Sequence, residues 1–232
     1  MAVHEGHLRG SEQHADEVMA VAKRFFCQLG SKNIFQPKVL AKVSHNSDFV
    51  VGCSMSVSSF LRPLCLHNRI SKFNCRLTEA VVLDRPLDSS DQGEQWSSSA
   101  FMRGSIETGY TEPKNPCRNC QVMFQNLKGF VPTNAEAGNR DTFQGACAEY
   151  IPVNELIEDD AKDRATVAVQ KKLEANLKRC MYLFKNYQEI AEELVKCSVD
   201  NKTLVNDKKL LTAASHKLAH IHIFGFKPEL KM

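Results

Sequence analysis

Apolar and polar positions alternate most clearly in "KVLAKVS" (38–44) and "DFVVGCSM" (48–55), two β-rich runs separated by "HNS". The pattern predicts a hairpin with Asn46 and Ser47 in its turn. Upstream, Val18, Met19, Ala22, Phe25, Phe26 and Leu29 recur at helical spacing, with Ser11 placed to cap, Asp16 and Glu17 near the start and Gly30 placed to stop. These signals predict an N-terminal amphipathic helix. "SVSSFLRPLCLHNRISKF" is mixed and reads as helical around Pro63, whereas "CRLTEAVVLDRP" reads as a strand closed by Pro86.

From Asp88 to Asn115 the pattern dissolves into Ser, Asp, Gly, Gln and Glu, which predicts a long loop, with a strand within "FMRGSIETGYT". Trp96 reads as the anchor of that loop on the protein body, or else as a stacking wall for a ligand. Between Asp160 and Lys196, Leu173, Leu177, Met181, Phe184, Tyr187, Ala191 and Leu194 recur every three or four residues and predict a long amphipathic helix. A further helix around 210–220 and a short strand in "HIHIFGF" are expected to follow. The division is therefore an N-terminal helix over 1–32, an α/β core over 33–158 and a helical extension over 159–232 packed on that core.

Composition narrows the classes. A chain of 232 residues, 43% hydrophobic and 25% charged, can bury a continuous core. A net charge of +3 with 30 basic residues interspersed among 27 acidic ones does not announce a polyanion partner. No apolar run approaches the roughly 18–20 residues that span a bilayer, and "MAVHEGHLRGSEQH" lacks the apolar centre of a secretion signal. The expected location is cytoplasmic or nuclear, with no membrane partner. Nine cysteines, an odd number, favour reduced thiols and metal ligation over a disulfide framework, and the cysteines that sit singly, such as Cys27 and Cys53, read as small buried hydrophobes.

The chemistry concentrates in "NPCRNCQVMF" and "QGACAEYIPVNEL". Pro116 suits the first position of a helix, and Cys117 and Cys120 then lie one turn apart, close enough for one ion, where the helix start favours thiolate over thiol. A C-x-x-C pair supplies two of the four ligands that zinc prefers, and equally serves a redox couple, so a third ligand decides. Cys147 is the candidate. Glu149, two positions further, falls beside a metal held there without being on it, which is where a general acid/base for activated water belongs.

Together, "PCRNC" and "CAE" resemble the signature of the zinc-dependent deaminases, in which a His or Cys, any residue and Glu form one half and Pro-Cys-x-x-Cys the other. The resemblance implies a deaminase-like three-layer α/β sheet, zinc on Cys117, Cys120 and Cys147, and Glu149 as proton shuttle. It also implies a nucleobase-containing substrate, small molecule or nucleic acid, of cytosine or adenine type. The two halves stand in reversed chain order here, which implies a permuted topology. In the usual order the upstream Leu77 and Glu79 would occupy the first half, and leucine cannot ligate a metal.

Two other classes compete. A non-catalytic interaction module, with structural zinc or an inactive fold, would use the C-terminal helices to dock a protein partner, fill the fourth ligand position with Cys75 or a histidine, and turn Glu149 away. A thiol oxidoreductase would keep Cys147 far from the pair. His216 and His220 share a helical spacing but lack the glutamate of a zinc-protease motif, "EDDAKD" at 158–163 reads as a solvated helix start, and no hydrolase elbow or phosphate-binding glycine loop is present.

Overall fold

In a computed structural model, residues 8–11, 14–28, 36–57, 62–88, 95–105, 108–130, 144–157 and 166–198 are described. They form a mixed α/β fold. The elements are β1 (Leu8–Ser11), α1 (Ala15–Gln28), β2 (Val39–His45), β3 (Asp48–Cys53), α2 (Arg62–Ile70), α3 (Cys75–Leu83), β4 (Trp96–Met102), β5 (Glu112–Lys114), α4 (Arg118–Met123), α5 (Tyr150–Leu156) and α6 (Val167–Ser198). The sheet runs β1-β3-β2-β4-β5 and is antiparallel at every pairing.

At its centre is the expected hairpin. Val43 pairs with Val50 and His45 with Asp48, so two residues remain for the turn, and Asn46 adopts the left-handed φ of 54° that asparagine tolerates. Because side chains alternate across a strand, Leu40, Phe49 and Val51 meet Ala15, Met19 and Ala22 of α1 on one face. Val43 and Val50 point to the other face and join the larger core with α2, α3, α4 and α5. Helices thus cover both faces.

The sequence reading needs several corrections. Ser11 does not cap α1; it pairs with Asp48 as the last residue of β1. Phe25 stands 56% exposed, because α1 buries the stripe Ala15, Met19 and Ala22. The segment expected as a strand before Pro86 is helix α3. Asn74 accepts a hydrogen bond from the backbone N–H of Leu77 at 2.8 Å, Asp84 closes the helix at φ 55°, and Leu77, Ala80 and Val81 are buried at helical spacing.

The Ser-rich stretch read as a loop contains β4, held along the whole of β2 from Val39↔Met102 to His45↔Trp96. Trp96 is buried and stacks on His45 at 4.0 Å, so it anchors the hairpin end of the sheet. On α6 the buried positions among the described side chains are Val169 and Cys180, with Leu173 packed partly against the core, while Leu177 and Met181, expected inside, are exposed. Contact with α2 and α3 selects the first of these two stripes. Cys27, Cys53, Cys65 and Cys75 are only half-buried. The expected 210–220 helix, the "HIHIFGF" strand, His216, His220 and the 158–163 run lie outside the described residues. Among the described residues, no helix is long and apolar enough to cross a membrane.

Gly52 sets how closely α5 approaches the sheet. A Cβ there would stand 2.4 Å from Pro152 Cδ and 2.5 Å from the carbonyl oxygen of Ala148. Gly52→Val is therefore expected to destabilise the fold by about 1–3 kcal/mol, as overpacking does, readable as a lower urea midpoint.

His67 gives a pH dependence. It is buried in α2, its Nδ1 has no hydrogen-bond partner among the described residues, and burial lowers its pKa from the ordinary 6.5. The folded state resists the proton that the unfolded chain accepts. Stability is therefore expected to fall as pH drops through about 6.5 and to level off below the depressed folded value. Thermal unfolding of the unaltered chain and of His67→Gln, compared at pH 7.5 and 5.5, should show the smaller acid-side drop in the variant.

Candidate metal centre

Two chain segments converge on the α2–α5 side of the sheet. In the first, β5 leads through Asn115 and Pro116 to Cys117, the N-cap of α4, whose backbone is extended (φ −69°, ψ 163°). Pro116 therefore precedes the cap and is not the first helical residue as expected. Cys120 follows one turn on, and Gln121 N–H closes that turn on the carbonyl of Cys117 at 3.0 Å.

In the second, Gly145 takes φ 81° where a side chain would meet Ile70, and Met55 N–H binds the carbonyl of Ala146 at 2.9 Å. The buried guanidinium of Arg69 donates to the carbonyls of Ala146 (3.4 Å), Cys147 (3.4 Å) and Cys53 (3.3 Å). The loop bearing Cys147 is thus tied to β3 and α2. Glu149 then caps α5, whose Tyr150, Val153, Leu156 and Ile157 are all buried, as the apolar spacing predicted for the last three.

The three sulfurs meet. Cys117 Sγ lies 3.4 Å from Cys147 Sγ and 3.6 Å from Cys120 Sγ, and the three ligand atoms all fall within 4.8 Å of one another. Tetrahedral zinc with Zn–S bonds near 2.3 Å separates its sulfurs by about 3.8 Å, so small outward shifts would seat an ion of that size. The donor set is soft and buried, as zinc sites of thiolate type are. Cys120 Sγ–H donates to Glu149 Oε2 at 3.7 Å, which sets the carboxyl against the cluster. Among the described residues no further Cys, His, Asp or Glu joins the group.

Hydrogen bonding to Cys117, reinforced by burial, holds the thiols of Cys120 and Cys147 well above the ordinary range. The thiols are therefore neutral in the metal-free protein, and a cation bound there displaces their protons. Burial pushes the Glu149 carboxyl up to about 7, with the nearby Cys117 adding to the rise and Lys114 opposing it. A cavity of about 310 Å³ opens on this cluster, lined by Cys117, Cys147 and Glu149 and by residues that include Lys38, Arg62 and Lys114.

Comparison with protein-family models, with curated proteins and with solved structures gives no match. The structure brings together all four side chains singled out from the sequence: Cys117, Cys120, Cys147 and Glu149. Cys147 is not remote from the pair, as a two-thiol redox site would have it. Glu79 pairs instead with Arg85 at 2.9 Å, and Leu77 is buried in the core. Sequence reasoning missed Arg69 and the cationic lining. Both sit in segments without a motif, and nothing in the sequence singles them out.

Proposed function

We propose that the protein is a zinc-dependent hydrolytic deaminase of a cytosine- or adenine-type base, built on a permuted deaminase-like three-layer α/β fold. The observation that carries this reading is the buried sulfur triad with one carboxyl group against it, beside a cavity that Cys117, Cys147 and Glu149 line. Cys117, Cys120 and Cys147 would hold the ion. Zinc bound there supplies Lewis-acid activation of water.

Glu149 takes a proton from the water that attacks the amidine carbon, and delivers it to the departing amine. The carbon–nitrogen bond breaks, a carbonyl forms, and ammonia leaves. The carboxyl suits this task because it is buried and lines the cavity beside the triad. Chain order does not matter to such a site once both segments converge. The second segment reaches the site through α5, which packs directly on β3 and β2.

The test is ammonia release and appearance of the carbonyl product when the zinc-loaded chain is offered cytosine, adenine, their nucleosides and the 5′-monophosphates. No ammonia from any of them, at full zinc occupancy, would overturn the assignment.

A second reading is an interaction module with structural zinc. The exposed Val167, Leu177, Met181 and Tyr182 on α6 favour it, since they offer apolar surface to a protein partner. The open cavity beside the triad weighs against it, because structural zinc sites are closed by a fourth protein ligand.

A further inference from the structure

The cavity over the sulfur triad carries more positive charge than the triad needs. Lys38 precedes β2, Arg62 opens α2 and Lys114 ends β5, so three separate parts of the chain each bring one cation to the same cavity. Among the described residues of its lining, Glu149 is the lone acid. Three thiolates around a divalent ion leave one negative charge. Even with Glu149 ionised as well, cationic side chains outnumber the negative groups among the described residues of the lining. A neutral nucleoside makes no use of that surplus; a phosphate group does, through charge-assisted hydrogen bonds.

The polar groups of the same lining support this reading. Ser54 Oγ accepts the backbone N–H groups of Lys38 (3.1 Å) and Val39 (3.0 Å), so its lone pairs are engaged and its O–H remains to donate to a ligand oxygen. Ser56 and Asn115 line the same cavity.

Size and charge distribution decide between a small anion and a polymer. About 310 Å³ lies at the lower end of the range of ligand pockets, about 300–1,000 Å³, which suits one nucleotide. Proteins that track a nucleic-acid backbone carry an extended basic footprint, whereas here 27 acidic residues are interspersed with 30 basic ones. We infer that the substrate is a nucleoside monophosphate, its base directed to Cys117, Cys147 and Glu149 and its phosphate held by Lys38, Arg62 and Lys114. This rests on the deaminase reading for the base, and on the cationic lining alone for the phosphate.

Isothermal titration of the zinc-loaded full chain with cytidine and adenosine, with their 5′-monophosphates and with a ten-nucleotide single strand tests it without reference to turnover. A monophosphate is expected to bind at least tenfold more tightly than its nucleoside. That ratio should fall about tenfold in Lys114→Gln and in Lys38→Gln, as loss of a charge-assisted bond implies, with zinc content and circular dichroism unchanged. Lys38 is exposed and Lys114 only partly buried, so neither substitution threatens the core.

Equal affinity for nucleoside and monophosphate, or a preference that survives both substitutions, would overturn the inference. Tighter binding of the oligonucleotide than of either monophosphate would also overturn it. Monophosphate binding that depends on the lysines, without ammonia release, would uphold the phosphate site and sink the deaminase reading. Ammonia release from nucleosides and monophosphates alike, with no preference in binding, would do the reverse.

Discussion

Cys147→Ser is expected to lower zinc affinity by more than a hundredfold and to leave the fold intact. The substitution exchanges one of three sulfur donors, 3.4 Å from Cys117 Sγ, for a hydroxyl that ionises with difficulty and binds zinc weakly. Even groups that only support a ligand cost tenfold to a hundredfold in affinity, so loss of the ligand itself exceeds that range. Zinc per chain, measured by plasma mass spectrometry after competition with a chelator of known affinity, checks the result. Cys75→Ser is the matched control, since Cys75 is half-buried and stands apart from the triad. Full occupancy at unchanged affinity in Cys147→Ser would show that the three sulfurs meet for packing alone.

Glu149→Gln is expected to reduce ammonia release by about a hundredfold to ten-thousandfold with zinc retained, the range that positioned proton transfer contributes. Glutamine matches the carboxyl in shape and keeps its place against the cluster, but it cannot carry the proton. Parallel measurement of bound zinc separates the roles. Loss of zinc together with activity would make Glu149 a ligand, and retention of activity would remove it from the chemistry.

Arg69 shows how the site depends on its surroundings. Its guanidinium is buried, and its two terminal nitrogens donate to the carbonyls of Cys53, Ala146 and Cys147, so the loop that bears the third sulfur is held by α2 and by the end of β3. Gly52 contributes from the other side by allowing Pro152 and Ala148 to come close to β3. Neither residue resembles a catalytic motif. Both act by fixing where two loops meet, and a sequence displays such roles poorly.

Legibility followed the range of the interactions concerned. Asn46 in the hairpin turn, the apolar face of α5 and the one-turn spacing of Cys117 and Cys120 are each determined by neighbours a few residues away, so the sequence alone disclosed them. α3 was misread because "CRLTEAVVL" has strand-like composition, and its helical state rests on the Asn74 cap, on Asp84 and on burial against the core. β4 was missed for a related reason. Ser97, Ser98 and Ser99 have no strand preference of their own and are ordered by pairing with Ser44, Val43 and Lys42. On α6 two apolar stripes were available, and contact with α2 and α3 chose the one through Val169 and Cys180.

By itself the sequence determined the hairpin, the helices α1 and α6, and the identity of three sulfurs and one carboxyl as candidates for one site. Only the tertiary structure decided that Cys147 lies beside Cys117, 30 residues away along the chain, and that Lys38, Arg62 and Lys114 share their cavity. Local preferences act through backbone geometry and are written in short windows. Convergence of distant segments depends on which faces are buried together, and that is settled by the packing of the whole core.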